Sequence, residues 1–310
     1  MATLRRRSNI QHKVGLPTWP LHLFLLPGVI LLLIYSYLPM LGIVIAFQNF
    51  DLTLGVSAFF ESEWVGFQNF TDLFSDPSFG RALANTLVIA NLKILVGFFI
   101  PIIFALMLNE LRSHLIKRGI QTLIYLPHFL SWVIVAGMMR ELLGLDGLVN
   151  NVAVFFGQEP HVFLGDKELF VPILIASNLW KEFGFSTIVY LAAITAVDPA
   201  LYEAAMMDGA NRWRQTVSVT LPAMFPIIIL TAVLSLGRVT SAGFEQILNL
   251  YNEQVYEVAD VIDTVIYRRG FLRAEYSFGA AFGLFNSLIS FVLIAASYQL
   301  ARKWAKYEIF

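Results

Sequence analysis

The chain contains no cysteine. Disulfides, thiolate catalysis and cysteine-based metal sites are therefore excluded. Charge is scarce too. Asp, Glu, Lys and Arg make up 14 % of the 310 residues, against roughly a quarter in a soluble domain, while hydrophobic types make up 57 %. With mean hydropathy at +0.69, lipid is the expected solvent over much of the surface. The net charge of −1 gives no basic field for nucleic acid. Catalytic signatures are missing as well. There is no G-x-x-x-x-G-K-[ST] phosphate loop, no H-E-x-x-H, no G-x-S-x-G and no dinucleotide fingerprint. The five histidines (His12, His22, His114, His128 and His161) are scattered without metal-ligand spacing. For His128 a structural or interfacial role is expected. No cofactor or metal is expected in this chain.

What the chain has instead is long apolar runs. A span needs about 20 mostly apolar residues. Six stretches qualify, at about Leu21 to Ala46, Ala82 to Leu108, Ile120 to Met139, Phe170 to Val197, Ala223 to Ala242 and Gly279 to Ala301. The first follows Arg5, Arg6 and Arg7 but runs from Trp19 to Phe50, far beyond a 7–15-residue signal core. It is read as a retained span. The expected fold is an all-α integral membrane protein of six transmembrane helices.

Basic residues favour the cytoplasmic side. They mark the N-terminal tail (Arg5, Arg6, Arg7, Lys13), the loop after span two (Arg112, Lys117, Arg118), the loop after span four (Arg212, Arg214) and the C-terminal tail (Arg302, Lys303, Lys306). Both termini are thus expected in the cytoplasm. The first two opposite loops are acidic. The third, about Phe244 to Phe278, breaks the pattern with Arg268, Arg269 and Arg273 among six acids. The apolar spacing of Asp146 to Phe156 suits a short interfacial helix. The chain divides into a cytoplasmic tail (1–20), a first span with its external loop (21–81), a core transmembrane domain (82–301) and a second cytoplasmic tail (302–310).

The most informative stretch is Asp198 to Pro222, DPALYEAAMMDGANRWRQTVSVTLP. Asp198 is a good N-cap and Pro199 suits the first helical position. Ala200 to Met207 are strong helix formers, and Gly209 permits a turn that a Cβ would hinder. A second amphipathic stretch, Asn211 to Val219, is expected to end at Leu221-Pro222. Ala204 and Ala205 leave a flat face to which another backbone can come near.

Here the chain resembles the binding-protein-dependent ABC permeases. Their cytoplasmic signature is Glu-Ala-Ala, three residues, Gly, nine residues, a β-branched apolar residue, one residue, Leu-Pro. Glu203, Ala204, Ala205, Gly209, Val219, Leu221 and Pro222 stand at that spacing, with Val219 in place of the usual Ile. IYLPHFLSWVIVAGMM (Ile124 to Met139), Asn178 to Ala210 and Phe244 to Gly270 look like the polysaccharide and oligosaccharide permease branch of the maltose-type carbohydrate importers. The resemblance implies a type I ABC importer permease fold in a bacterial inner membrane. It implies a heterodimer with a second permease, two ATPase subunits that bind ATP and Mg, and an external solute-binding protein. It also implies that 198–222 is a coupling segment seated on an ATPase, with Glu203, Ala204, Ala205 and Gly209 as contacts and Leu221 and Pro222 closing the signature. Asp208, Arg212 and Arg214 lie outside the signature or in its variable gap and would add polar contacts. The implied cycle starts with the cavity facing the cytoplasm. A loaded binding protein and ATP closure turn it outward.

Polar residues inside the spans are the other candidates. A lysine or acid at a helix centre costs about 2.5–3.5 kcal/mol on insertion scales. Lys181 and Glu182 in span four are therefore expected to face helices or a wet cavity. Asn178, Arg238 in span five and Asn286 in span six complete the candidate path. Each is either path lining or interhelical glue. Lys93 snorkels only if its helix is tilted or displaced. Lys181 and Arg238 would suit an acidic polysaccharide such as alginate, though neutral and lipid-linked oligosaccharides fit the branch equally. A stand-alone secondary transporter would carry an internal repeat and coupling-ion acids, and neither is found. An intramembrane enzyme would need clustered acids, His or Ser at membrane depth, where Glu182 is the one acid well inside a span.

Overall fold

The computed structural model describes residues 19–305. The basic N-terminal tail (Arg5, Arg6, Arg7, Lys13) and Lys306 lie outside the described residues. The chain forms two compact units, Met1–Val44 and Ile45–Phe310. In the first, helix α1 (Trp19–Leu32) continues through a π-helical turn, Leu33–Tyr37, into a further short helix, Leu38–Met40. Its large side chains, Phe24 and Leu31 among them, are exposed, as lipid-facing groups are.

The second unit opens with a two-stranded antiparallel ribbon, β1 (Gln48–Asn49) on β2 (Glu63–Trp64). The helices that carry the site follow: α2 (Gln68–Ser75), α3 (Pro77–Glu110), α4 (His114–Tyr125), α5 (Trp132–Leu143), α6 (Leu148–Phe155), α7 (Lys167–Thr195), α8 (Pro199–Met207), α9 (Leu221–Leu236), α10 (Phe244–Leu250), α11 (Ile262–Val265) and α12 (Tyr276–Ala305). The long helices start where side chains satisfy free N–H groups. Asp76 accepts from Ser78 N at 2.7 Å and Asp166 from Glu168 N at 2.7 Å. The interfacial helix expected near Asp146 to Phe156 is α6. Helices α3 and α7 pack along each other. At one end Ile102 and Ala105 meet Tyr190, Ile194 and Met224 of α9. At the other, Ile89 and Leu174 join a core with Ala242, Ile247 and Leu250.

Among the described residues four helices are long and apolar enough to cross a membrane, or up to six if two bent pairs each count as a span. Span three departs from the expected continuous helix over Ile120 to Met139. It is two helices bent by 103°. The chain tightens at Leu126–Phe129, where Pro127 contributes no N–H, and Leu130 and Ser131 are extended. Ser131 then caps the new helix, accepting from Ile134 N at 3.4 Å.

Span five departs in the opposite sense. Leu221-Pro222 does not end the preceding helix. Residues Arg212–Leu236 form one apolar helical run of 25 residues. The π-helical turn Thr216–Thr220 makes this possible, with Leu221 N bonded to Thr216 O. The wider i→i+5 pattern absorbs the irregularity that a proline forces on an α-helical ladder.

The segment after span five, expected as a loop, is not a surface loop. Ile247, Val255, Ala259, Val261, Ile262 and Val265 are fully buried among the spans. Two of its arginines, Arg268 and Arg269, are neutralised by carboxylates. Arg268 Nη1 donates to Asp260 Oδ1 at 2.9 Å, and its other nitrogen also pairs with this carboxylate. The bond from Arg268 to Asp260 pushes the guanidinium pKa up against an opposing effect of burial. Arg269 pairs with Asp76 and with Glu275 (2.8 Å). Burial raises the Asp76 pKa, yet the bonds from Ser78 and Arg269 together hold it below the usual carboxylate value. Arg268 and Arg269 are thus countered by carboxylates within the fold.

Candidate functional site

Helix α8 leaves the end of α7 at a 66° bend. Asp198 caps it through Ala200 N at 2.9 Å. Its other end is a Schellman closure. Ala210 N donates to Ala205 O at 2.9 Å and Gly209 N to Met206 O at 3.0 Å, with Gly209 at φ +77°. The glycine is required by that left-handed backbone and not by crowding, because a Cβ there would meet nothing within 4 Å. Asn211 caps the next turn by accepting from Arg214 N at 2.9 Å.

One face of α8 is held to the protein. Tyr202 and Ala205 are half-buried, and the Tyr202 hydroxyl bonds Thr220 Oγ1 at 2.9 Å, tying α8 to the base of span five. The other face carries Glu203, Ala204, Met206 and Asp208, all exposed. Met207 is 88 % exposed and nearby Trp213 76 %. Both apolar groups stand open beside the end of α8. Arg212 is otherwise engaged. Its Nη1 pairs with Glu110 Oε2 at 2.8 Å and fastens the segment to the end of α3. Leu221 is half-buried and Pro222 exposed within the continuous helix.

Lys181 is buried in α7. Its Nζ donates to His128 O at 2.8 Å and to Glu182 Oε1 at 3.1 Å, and lies 5.5 Å from the centre of the Trp132 ring. The other oxygen of Glu182 bonds His128 Nδ1 at 2.8 Å, and the imidazole stacks on Phe185 at 4.1 Å. Both charges of the pair thus meet the break in span three. They fasten it to α7, the cation on a freed backbone carbonyl and the acid on the imidazole. Gly184, one turn on, is buried where an added Cβ would collide with the backbone of Ile124 in α4.

Lys93 does not snorkel. Its Nζ donates to Ala242 O at 2.6 Å and also to Gln246 Oε1, while Gln246 Nε2 donates to Leu174 O (2.7 Å) and Ser177 Oγ (2.8 Å). The end of span five is thereby tied to α3 and α7. Of the remaining candidates, Arg238 is exposed with no ion pair among the described residues, and Asn178 is half-buried. Asn286 Oδ1 is buried without a hydrogen-bond partner. Sequence reasoning missed Gln246 because it lay in a presumed loop, and Gly184 because one small residue in an apolar run carries no sign of what it touches. Among the described residues no group of three or more His, Asp or Glu could hold a metal.

Comparison with known proteins gives this geometry its context. A family model described as the binding-protein-dependent transport system inner membrane component matches residues 97–306. The polygalacturonan/rhamnogalacturonan transport system permease protein YteP of Bacillus subtilis is 45 % identical over 291 residues, covering 94 % of this chain and 90 % of the relative. A solved chain of a bacterial ABC transporter involved in the import of the acidic polysaccharide alginate superimposes with a TM-score of 0.86 at 42 % identity, covering 93 % of this chain and 96 % of that one. A second, from an alginate ABC transporter in complex with an alginate pentasaccharide-bound periplasmic protein, gives 0.85 at 42 % identity, covering 94 % and 97 %. The chain therefore belongs to the binding-protein-dependent transport system inner membrane components and is a multi-pass permease subunit of the ABC importer type, not an enzyme.

Proposed function

We propose that this permease forms half of an alternating-access path for an acidic oligo- or polysaccharide in a bacterial inner membrane, with both termini cytoplasmic. It pairs with a second, homologous permease and receives its cargo from an external solute-binding protein. Two ATPase subunits, which bind ATP and Mg, dock on residues 198–222 of this chain and the matching segment of its partner. The reading is supported above all by one feature, the exposed face of α8 on a helix closed at both ends and continuous with two spans. A flexible loop would dissipate displacement. A helix capped by Asp198, closed at Gly209 and tied through Tyr202 to Thr220 transmits it to α7 and α9 together. From α7 the Lys181–Glu182–His128 contact carries the movement to the break in span three.

Glu203, Ala204, Ala205, Asp208 and Gly209 are the docking residues in this reading. Arg212 has a bracing role through Glu110, and Leu221 and Pro222 carry the displacement into span five. Because the chain has no cysteine, Ala204→Cys supplies a single thiol. In the assembled transporter it should cross-link to a cysteine placed in the ATPase groove, with ATP changing the yield. A thiol that meets only lipid or water throughout the cycle would sink the docking role.

The acidic class of cargo is favoured by the free cation. Lys181 is committed to His128 and Glu182, which leaves Arg238 as the charge to attract uronates, with Asn178 and the unpartnered Oδ1 of Asn286 as path groups. Arg238→Gln should lower uptake of an acidic oligosaccharide by about tenfold, the scale of one lost charge-assisted hydrogen bond. ATPase activity should be retained. An unchanged rate in vesicles would remove Arg238 from the path.

A further inference from the structure

An open cavity of about 710 Å³ lies between α11, the π-helical segment Ile266–Leu272 and the start of α12. Its wall is aromatic, formed by Phe244, Tyr267, Phe271 and Tyr276, and one carboxylate, Asp263, enters it. Tyr267 stacks on Phe271 at 5.8 Å and meets Phe244 edge-on at 5.6 Å. Asp263 is half-buried with no hydrogen bond or ion pair among the described residues. Burial raises its pKa. A carboxylate in such a place needs a counter-charge or loses its own. Among the described residues none provides one, although arginines follow five and six residues later. Arg268 is held by Asp260 and Arg269 by Asp76 and Glu275. The backbone contact of Gly270 with Gly279, where a Cβ on either would stand 3.0 Å from the other's Cα, fixes these two elements and so fixes the cavity between them.

We propose that this cavity receives a lysine or arginine side chain of the second permease subunit, whose charge pairs with Asp263 while its aliphatic stem lies along the aromatic wall. The inference rests on the two-permease assembly proposed above. The chemistry favours this occupant over a sugar ring. A pyranose brings several hydroxyls that each need a partner, whereas the wall offers one strong acceptor amid apolar faces. A basic side chain is apolar along its stem and charged at its tip, and aromatic rings beside a carboxylate are the usual surroundings of a bound cation. Phe271, 66 % exposed, and Leu272, 62 % exposed, extend the apolar surface beside it.

The test uses the complete transporter in detergent and in membranes. Asp263→Asn should weaken retention of the second permease on the tagged chain by about tenfold or more, since it leaves a buried cation unpaired. The ATPase subunit docked on this chain's own coupling segment should stay bound. Independently, Phe271→Cys, which leaves Asp263 in place, should form a disulfide with a cysteine scanned along the outer half of the second permease. If the Asp263→Asn complex is as stable as the parent and no position in the scan cross-links, the inference is overturned. It is equally overturned if assembly is unchanged but the KM for saccharide uptake rises, because the cavity is then a sugar subsite. Failure of the parent chain to retain any second permease would instead defeat the assembly reading itself.

Discussion

Gly184→Ala should lower the stability of the permease by about 4 kcal/mol or more, an effect far larger than one methyl group ordinarily has. Helices α4 and α7 meet there backbone to backbone, and the added Cβ would collide with the carbonyl group of Ile124. Neither side of that contact is a flexible side chain. The helices must separate, and overpacking of this kind costs about 1–3 kcal/mol. Separation also breaks what lies one turn away. The Lys181 bond to His128 O and the Glu182 bond to His128 Nδ1, both 2.8 Å, cross the same interface. A buried lysine left without its acceptor adds about 3–5 kcal/mol. Melting of the purified protein in detergent measures the sum. By the scaling for chains of this size, the midpoint should fall by on the order of 10 °C. A variant that melts with the parent would mean that α4 is not seated on Gly184. Since the damage should also detach the break in span three from α7, uptake should fall more steeply than the amount of folded protein.

The contact at Gly184 shows where the sequence stopped being informative. The cost of Lys181 and Glu182 inside a span was legible from composition, and so was the need for something to receive them. His128, the receiver, stands 53 residues away, and nothing local connects the two. Pro127 and Ser131 carry the chemistry of a helix break and a new cap, yet the span reading runs straight through them. The apolar run around them was long enough to satisfy a span criterion, which measures length and hydropathy and not direction. A bend of 103° leaves both unchanged. The outer segment after span five failed for a related reason. Its charges outnumbered its apolar runs, so it read as a loop. The structure cancels Arg268 against Asp260 and Arg269 against Asp76 and Glu275, and buries Ile247, Ile262 and Val265 between the charges. The pairing of Arg269 with Asp76, 193 residues away, cannot be seen along a chain. Helix α8 was legible almost residue by residue because its determinants are local. A cap (Asp198), a proline at the first position (Pro199) and a glycine at the left-handed stop (Gly209) all lie in one short stretch of chain.

Those local determinants also set the second large effect. Gly209→Pro should abolish ATP-driven uptake while leaving the spans inserted. Proline holds φ near −65°, and Gly209 sits at +77°. Proline also removes the N–H that donates to Met206 O at 3.0 Å. The Schellman closure cannot form, and the Ala204–Met207 turn loses the bonds that fix it. The spans are spared because the surroundings of Gly209 are open, with nothing within 4 Å of the position a Cβ would take. The same openness provides an internal control. Gly209→Ala keeps the N–H and meets no neighbour, so its only cost is the left-handed backbone, about 1–2 kcal/mol. If docking requires the closed form, that cost lowers coupled uptake about five- to thirtyfold and not completely. Proline should therefore be null, alanine intermediate and the parent full, at equal membrane abundance, with ATP hydrolysis no longer responding to the loaded binding protein in the proline variant. Equal uptake in all three would show that the closure at Gly209 has no part in transmitting force. A graded loss that follows backbone cost, in a segment with no crowding to relieve, would locate the transmission in the rigidity of α8 itself.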